Sequence, residues 1–287
     1  MSLPRRSAFT LVELLVVIVI LGLLMAMIFP AINRMRETTR ETVCRDQMRN
    51  VAMAVEVFAE KQNHYPGWKH PFSTKNASGG TVKEYMPWVV PIMEYIDRSD
   101  VSDHIKANKP ADIQWPYVEL LICPSDRAKV DGSGPVLSYV GNAGREDKHE
   151  SGKPYDYRSN AVFLDLSEPG VKRQTASFII KADGKANTLL LSENLNANHF
   201  GKIADQILES DHCIVYHNSP TAIHRINSTP TASATPIDLA RPSSNHRGGA
   251  NVAMVGGNVR LLSDETDYGT YKSMLRVDDQ FNDPDYP

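Results

Sequence analysis

One carboxylate, that of Glu13, lies inside an otherwise uncharged apolar segment, residues 11–32, which we call the apolar span. An ionised carboxyl group in a membrane-spanning helix costs about 2.5–3.5 kcal/mol and therefore needs a positive partner. The span itself contains no basic residue. A cut between Ala8 and Phe9 would create an α-amino group on Phe9. Four residues of helix rise about 6 Å, so the amine of a staggered neighbouring copy can lie level with Glu13.

The position of Ala8 favours that cut. Secretory signal peptides carry their small residues after the apolar core, and cleavage there releases the chain. Here the small residue precedes the core, so cleavage after Ala8 leaves the apolar span on the mature protein. The span is long enough to cross a bilayer, which takes about 20 residues. The alternative is a plain membrane anchor in which Glu13 sits at the interface.

Two further groups of residues could bind a metal ion. Asp211-His212-Cys213 and His217 form one group, but their spacing matches no known zinc pattern. The acidic C-terminal tail offers oxygen ligands that suit calcium, at Asp278, Asp279, Asp283 and Asp285. We favour the interpretation that this tail is a solvated acidic terminus and not a calcium site. The chain has no phosphate-binding glycine loop and no nucleophile elbow, so we expect no enzyme. We expect no cofactor other than this calcium candidate.

A long helix must carry Glu13 and continue beyond the membrane. The apolar residues Cys44, Met48, Val51, Val55 and Phe58 recur at spacings of three and four, which predicts an amphipathic helix. Pro66 and Gly67 mark its end, so we predict one helix over 9–62. Its stripe needs a partner, and a sheet built from later residues is the expected one.

The remaining chain predicts strands and loops. The net charge of −3 gives no basic field for nucleic acid. Residues 88–96 indicate a short helix or packed loop, and residues 218–245 an exposed excursion. Gly256-Gly257-Asn258 predicts a hairpin turn between the last two strands. The predicted strands are 120–123, 161–166, 178–181, 188–192, 214–216, 252–255 and 259–262.

Residues 9–14, Phe-Thr-Leu-Val-Glu-Leu, resemble the N-terminal methylation motif of type IV pilins and type II secretion pseudopilins. The resemblance implies cleavage by a prepilin peptidase, N-methylation of Phe9 and a role for Glu13 in subunit registration. Gly22 and Pro30 also fall where these families place a glycine and a proline. The chain departs from the pattern at Ala8, where the families usually have glycine.

Later segments are similar to the DUF1559 family of prepilin-like proteins, in the order that family shows. They are residues 44–48, 123–126, 138–142, 183–193 and 246–251. The C-terminal signature of the family is H-X9-DG. His246 supplies the histidine, but Gly256 and Gly257 stand where the family has Asp and Gly. A turn survives this change because glycine tolerates the same backbone angles, whereas a metal or catalytic role of the Asp would not.

The same resemblance bears on the three cysteines. Cys44 and Cys123 lie in family-matching stretches and Cys213 does not, so a Cys44–Cys123 disulfide is the favoured pairing. The alternative is three buried thiols that behave as small hydrophobic groups.

Together these features predict an α+β, pilin-like fold: a long helix packed on an antiparallel sheet, with a loop-rich C-terminal elaboration. The expected organisation is a leader over 1–8, the helix over 9–62 and a periplasmic or extracellular domain over 63–287. The expected role is a structural subunit of a pilus-like or pseudopilus-like filament in the bacterial inner membrane, with a cytoplasmic N-terminus. Its partners would be the prepilin peptidase and further copies or related pseudopilins. The alternative is a membrane-anchored extracellular module that binds carbohydrate or another surface ligand.

Overall fold

The computed structural model describes residues 11–76, 78–108, 112–130, 134–145, 157–167, 170–203, 207–217 and 220–278. Its helices are α1 (Leu11–Gln62), α2 (Ser99–Ala107), α3 (Arg127–Val130), α4 (Ala176–Lys181), α5 (Glu209–His212) and α6 (Tyr268–Leu275). Its strands are β1 (Lys69–Lys75), β2 (Thr81–Pro87), β3 (Tyr139–Arg145), β4 (Leu189–Glu193), β5 (Cys213–Tyr216), β6 (Gly249–Met254) and β7 (Val259–Ser263). The α+β class predicted from the sequence is confirmed.

Helix α1 is continuous over 52 residues, and its two halves differ in surroundings. The predicted apolar stripe is confirmed, because Cys44, Met48, Val51 and Val55 are fully buried and Phe58 nearly so. The helix ends where Asn63 adopts a positive φ of 59°, immediately before the Pro66-Gly67 pair. The second half of α1 thereby becomes the central element of the domain that follows it, which we call the head.

A five-stranded sheet supports this stripe. Its strand order is β5-β3-β4-β6-β7, and all pairs are antiparallel except β3 with β5. Helix α1 packs against β4, β6 and β7. The predicted hairpin turn is confirmed, since Gly257 has a φ of +79° and its N–H donates to the carbonyl of Met254 at 2.8 Å. The sheet therefore places β4, and the loop that precedes β6, beside α1.

A second, two-stranded sheet is formed by β1 and β2, and the sequence did not predict it. These strands are rich in lysine, and β1 contains Pro71, which is typical of edge strands. The segment after β2 is the predicted packed loop, with Trp88 to Val90 fully buried and a single 3₁₀ turn at Met93–Tyr95.

Three predicted strands are wrong. Residues 120–123 overlap a 3₁₀ turn (Glu119–Leu121), residues 161–166 form no regular strand, and residues 178–181 belong to helix α4. Thr175 caps the start of helix α4, because its hydroxyl accepts a hydrogen bond from the N–H of Phe178. Short apolar runs fit a buried turn or helix as well as a strand, so their hydrophobicity alone does not decide between them.

The segment 218–245 is less exposed than its composition predicts. His224, Ala240, Arg241 and Ser243 are all buried. The Nε of Arg241 donates to the Oγ of Ser228 at 2.7 Å, which folds the segment onto itself. This loop therefore returns to the core and delivers the chain to His246.

Candidate functional site

The first half of α1 presents its apolar side chains to the outside of the molecule. Leu11, Met27 and Phe29 are 78%, 77% and 71% exposed. The helix is long and apolar enough to cross a membrane, judged by length and composition, and the most apolar stretch is not buried by any described part of the head. Glu13 and Gly22 lie on this half, and α1 runs through Pro30. Ala8 and Phe9 lie outside the described residues.

The histidine of the family signature joins the head to α1. The Nδ1 of His246 lies 2.9 Å from the Oε1 of Glu37, which is on α1. The Nε2 of the same ring lies 3.3 Å from the Oε1 of Glu193, the last residue of β4. The side chains of His246 and Glu193 are almost completely buried, so the ring is held between two carboxylates away from bulk water.

This arrangement favours the charged imidazolium. Burial alone would lower the pKa of His246, but hydrogen bonds and charge attraction from Glu193 and Glu37 outweigh it and raise the pKa above its ordinary value of 6.5. Partial burial would raise the pKa of Glu37, yet the hydrogen bond from Ser125 and the contact with His246 lower it. The Oγ of Ser125 donates to the Oε1 of Glu37 at 2.8 Å. Both shifts therefore favour an ion pair between the two side chains.

A disulfide lies beside this ion pair. The structure joins Cys44 of α1 to Cys123, with a Cα–Cα distance of 5.1 Å across 79 residues of sequence. The Sγ of Cys123 lies 3.4 Å from the Nε2 of His246. We call the five residues Glu37, Cys44, Cys123, Glu193 and His246 the signature junction. It connects the point where α1 enters the head to three separate segments of the sheet and its loops.

Neighbouring polar groups hold Glu193 in place. The N–H of Asn251, on β6, donates to the Oε2 of Glu193 at 2.8 Å. The side-chain oxygen of Asn251 in turn accepts from the Nε of Arg45 on α1 at 3.1 Å. The two carboxylate oxygens of Glu193 are thus held by different groups: Oε2 by the N–H of Asn251 on β6, and Oε1 by the ring of His246.

Sequence reasoning predicted no role for Glu37, Ser125 and Glu193. Glu37 is one of several charged residues that follow the apolar span, and its partners Ser125 and His246 lie far away along the chain. Glu193 ended one of the family-matching stretches, which was the only signal available for it.

The two glycines of the signature occupy a turn remote from these groups. Gly257 holds the positive φ that the turn needs. A Cβ on Gly256 would meet the carbonyl oxygen of Lys185 at 3.5 Å, an ordinary contact. The turn therefore has room for the aspartate that the family places at this position.

The structure does not assemble the predicted group around Asp211-His212-Cys213. Among the described residues, His217 lies instead beside His224 and Asp238. The rings of His217 and His224 stack with centroids 3.7 Å apart. His224 uses both ring nitrogens, accepting from the N–H of Thr221 at 3.0 Å and binding Asp238 at 3.0 Å. A metal at its Nε2 would require a proton on Nδ1, against the Thr221 N–H.

The remaining predicted ion ligands are in the tail. Asp278 is described, and its N–H donates to the carbonyl of Ser159 at 3.1 Å. Asp279, Asp283 and Asp285 lie outside the described residues, so a calcium site there stays a prediction.

Two family models and one curated protein match parts of this chain. The family model "Protein of unknown function (DUF1559)" matches residues 33–269, and the model of the prokaryotic N-terminal methylation motif matches residues 3–29. The chain is also 32% identical over 66 residues to the type II secretion system core protein G of Pseudomonas aeruginosa. That match covers 23% of this chain and 46% of the relative, less than half of its length. No solved structure matches significantly.

An exposed apolar helix that carries a methylation motif and continues into an α+β head defines a membrane-anchored, pilin-like protein. Within that class, this chain belongs to the DUF1559 family, whose model covers most of its length.

Proposed function

We propose that this protein is a structural subunit of a type IV pilus-like or type II secretion pseudopilus-like filament. The continuity of α1 is the observation that carries this proposal. One helix presents an exposed apolar half and buries its other half in the head, so many copies can pack their apolar halves together while their heads remain outside. The methylation motif and the partial similarity to a pseudopilin support the same role.

Processing by a prepilin peptidase between Ala8 and Phe9 would precede assembly. The new amine of Phe9, methylated after the cut, would then pair with Glu13 of a neighbouring copy in the low-dielectric filament core. Such a pair sets the axial register between subunits because only one stagger brings the two charges together. Gly22 and Pro30 would adjust the close packing and the local bend of the span.

The basic residues before the span indicate the orientation of the protein in the membrane. Arg5 and Arg6 precede the span, which favours a cytoplasmic N-terminus in the bacterial inner membrane and a periplasmic head. Assembly would carry the head to the cell surface. The partners are then the peptidase, the inner membrane and other copies or related pseudopilins. We propose a structural role without enzymatic activity.

A membrane-anchored extracellular binding module is the second candidate. It is favoured by the size of the head, because the match to the pseudopilin covers only 66 residues whereas the DUF1559 model extends to residue 269. A head of this size has surface that filament packing alone does not require.

Assembly state separates the two candidates. Surface fractions sheared from cells that make this protein should contain filaments under the electron microscope, and mass spectrometry of them should find methylated Phe9 at the N-terminus. Protein that is processed but remains monomeric in the membrane would favour the binding module. An intact leader, or a cut after the apolar span, would contradict the pilin-like assignment of the motif.

A further inference from the structure

We propose that the signature junction is a zinc site when its disulfide is reduced, with Cys44, Cys123, His246 and Glu193 as the four ligands. One donor atom from each of these residues lies within 4.8 Å of the others. Two thiolates, one imidazole and one carboxylate form a donor set that suits Zn²⁺, which prefers four ligands in a tetrahedron.

The distances already approach those of a metal centre. Bond lengths of about 2.0–2.3 Å around a tetrahedral Zn²⁺ place neighbouring ligand atoms about 3.3–3.8 Å apart. The Nε2 of His246 lies 3.4 Å from the Sγ of Cys123 and 3.3 Å from the Oε1 of Glu193. The two sulfur atoms are bonded to each other and must separate, and reduction of their bond permits that.

The groups around the ligands are arranged as zinc sites require. A zinc-bound histidine usually donates its second N–H to a carboxylate, which fixes the ring and raises its basicity. Here the Nδ1 of His246 is bound to Glu37, while Nε2 faces Cys123 and Glu193. Glu37 is itself held by Ser125, and the second oxygen of Glu193 is held by the N–H of Asn251.

The ligands come from four separate parts of the fold. Cys44 is on α1, Cys123 follows a 3₁₀ turn, Glu193 ends β4 and His246 precedes β6. A metal ion here would link the same segments as the disulfide, so the head can keep its connection to α1 in both redox states. The cluster of His217, His224 and Asp238 is a poorer metal site. There the Nδ1 of His224 accepts a hydrogen bond from the N–H of Thr221, which opposes metal binding at Nε2.

The exchange is chemically balanced. A dithiol reductant transfers two electrons and two protons to the Cys44–Cys123 bond and becomes a cyclic disulfide. Zn²⁺ then displaces the two thiol protons and the Nε2 proton of His246, so three protons leave as the ion binds. A disulfide oxidant that accepts two electrons from the two thiolates, and two protons from water, becomes a dithiol, restores the Cys44–Cys123 bond and releases the ion.

The test uses the full chain in detergent micelles, reduced with a non-chelating phosphine under anaerobic conditions and then given Zn²⁺ or Co²⁺. After gel filtration, the reduced protein should retain one equivalent of zinc by elemental analysis. The cobalt form should show a thiolate-to-metal charge-transfer band and tetrahedral d–d bands. The oxidised protein should show neither result.

Variants assign the ligands. Glu193→Gln keeps the side-chain shape and should weaken zinc binding at least tenfold, and Glu37→Gln should weaken it about 10–100-fold through loss of the second contact of His246. Cys213→Ser and His224→Gln are matched controls that should bind zinc like the parent.

Each of the following outcomes would overturn the proposal. One is a reduced and folded protein that retains no stoichiometric zinc. Another is cobalt binding without thiolate bands, or binding that His224→Gln abolishes and Glu193→Gln does not. The third applies if reduction unfolds the chain: added zinc must then restore the circular dichroism of the native protein, and failure to do so would refute the site.

Discussion

His246 and Glu37 lie 209 residues apart in the sequence, and their side chains meet at 2.9 Å. Glu37 is located on α1 between the apolar span and the first residue of the buried stripe, Cys44. The contact therefore lies at the point where α1 passes from the apolar span into the head. Both groups have pKa values displaced in the direction that favours an ion pair.

This contact makes stability depend on pH. The pKa of His246 is raised, so its contribution is fully present below pH 6.5 and is lost as the pH rises through the folded-state value. The pKa of Glu37 is lowered, so its contribution is present above pH 4.5 and is lost as the pH falls through the folded-state value. Glu37→Gln should lower the free energy of unfolding by about 1–3 kcal/mol between those limits, measured by denaturant titration.

The difference between the parent and Glu37→Gln should shrink above and below that window. Glu60→Gln, an exposed residue on the same helix, is the matched control and should leave the pH profile unchanged. A loss in Glu37→Gln that stayed constant from pH 4 to pH 9 would show that the contact is not ionic.

Processing should depend on the size of residue 8. Ala8→Gly should be cleaved at least as fast as the parent, because glycine is smaller and is the residue usual in the resembling families. Ala8→Leu should accumulate as the uncleaved precursor. The ratio of precursor to mature chain over time, from pulse-labelled cells and intact-mass measurement, checks both statements. Equal rates for all three chains would argue against cleavage at this bond.

Glu13 should matter for assembly rather than insertion. Glu13→Ala removes a costly charge from the span and should enter the membrane normally. Filament protein in sheared fractions should nevertheless fall about tenfold or more, the effect of losing roughly 1.4 kcal/mol of subunit pairing. Glu60→Gln, which removes an exposed carboxylate from the head half of α1, is the control and should assemble like the parent. Normal filament yield from Glu13→Ala would exclude the proposed pairing with the Phe9 amine.

The Cys44–Cys123 bond should behave as one unit. Under oxidising conditions, Cys44→Ser, Cys123→Ser and the double variant should each lose a similar free energy of unfolding, about 2–5 kcal/mol. Non-reducing digestion should give one peptide that links the two residues, with Cys213 alkylated only after denaturation. Additive losses in the double variant would instead indicate two separately buried thiols.

The two signature glycines should differ in their tolerance. Gly256→Asp should change stability by no more than about 0.5 kcal/mol, because its Cβ has ordinary contacts only. Gly257→Ala should cost about 1–2 kcal/mol, since φ is +79° there and a side chain disfavours that region. Thermal unfolding of the two variants side by side measures the contrast. A severe loss in Gly256→Asp would mean that this chain has adapted to glycine.

Periodic features of the fold were predictable, and short ones only in part: the predicted strands 188–192, 214–216, 252–255 and 259–262 correspond to β4, β5, β6 and β7, whereas three others do not form. The stripe from Cys44 to Phe58 repeats often enough to define a helix and its buried face. Strand β3 escaped prediction because Gly141 and Gly144 reduce its strand propensity, although Gly141 packs directly under Phe163. Residues 178–181 were misassigned because four apolar or long side chains carry no readable period.

The residues of the signature junction were harder to predict from the sequence than the helix and strands. His246 was found through its family signature, but Glu37 looked like any charged residue on a solvated helix. The structural role of Glu37 depends on its contacts with Ser125 and His246, and these residues come close to it only in the folded chain. No local pattern in the sequence records a contact between such distant residues.

The signature junction lies at one end of the contact between α1 and the sheet, and in the proposed filament that position would decide how each subunit bears mechanical load. Tension along a filament would reach the head through α1. A helix that is covalently attached at Cys44, its point of entry, cannot be peeled away from the sheet one turn at a time. Such a load would pass through the disulfide into the segment of Cys123, so the buried stripe from Cys44 to Phe58 would carry tension only after that bond is reduced.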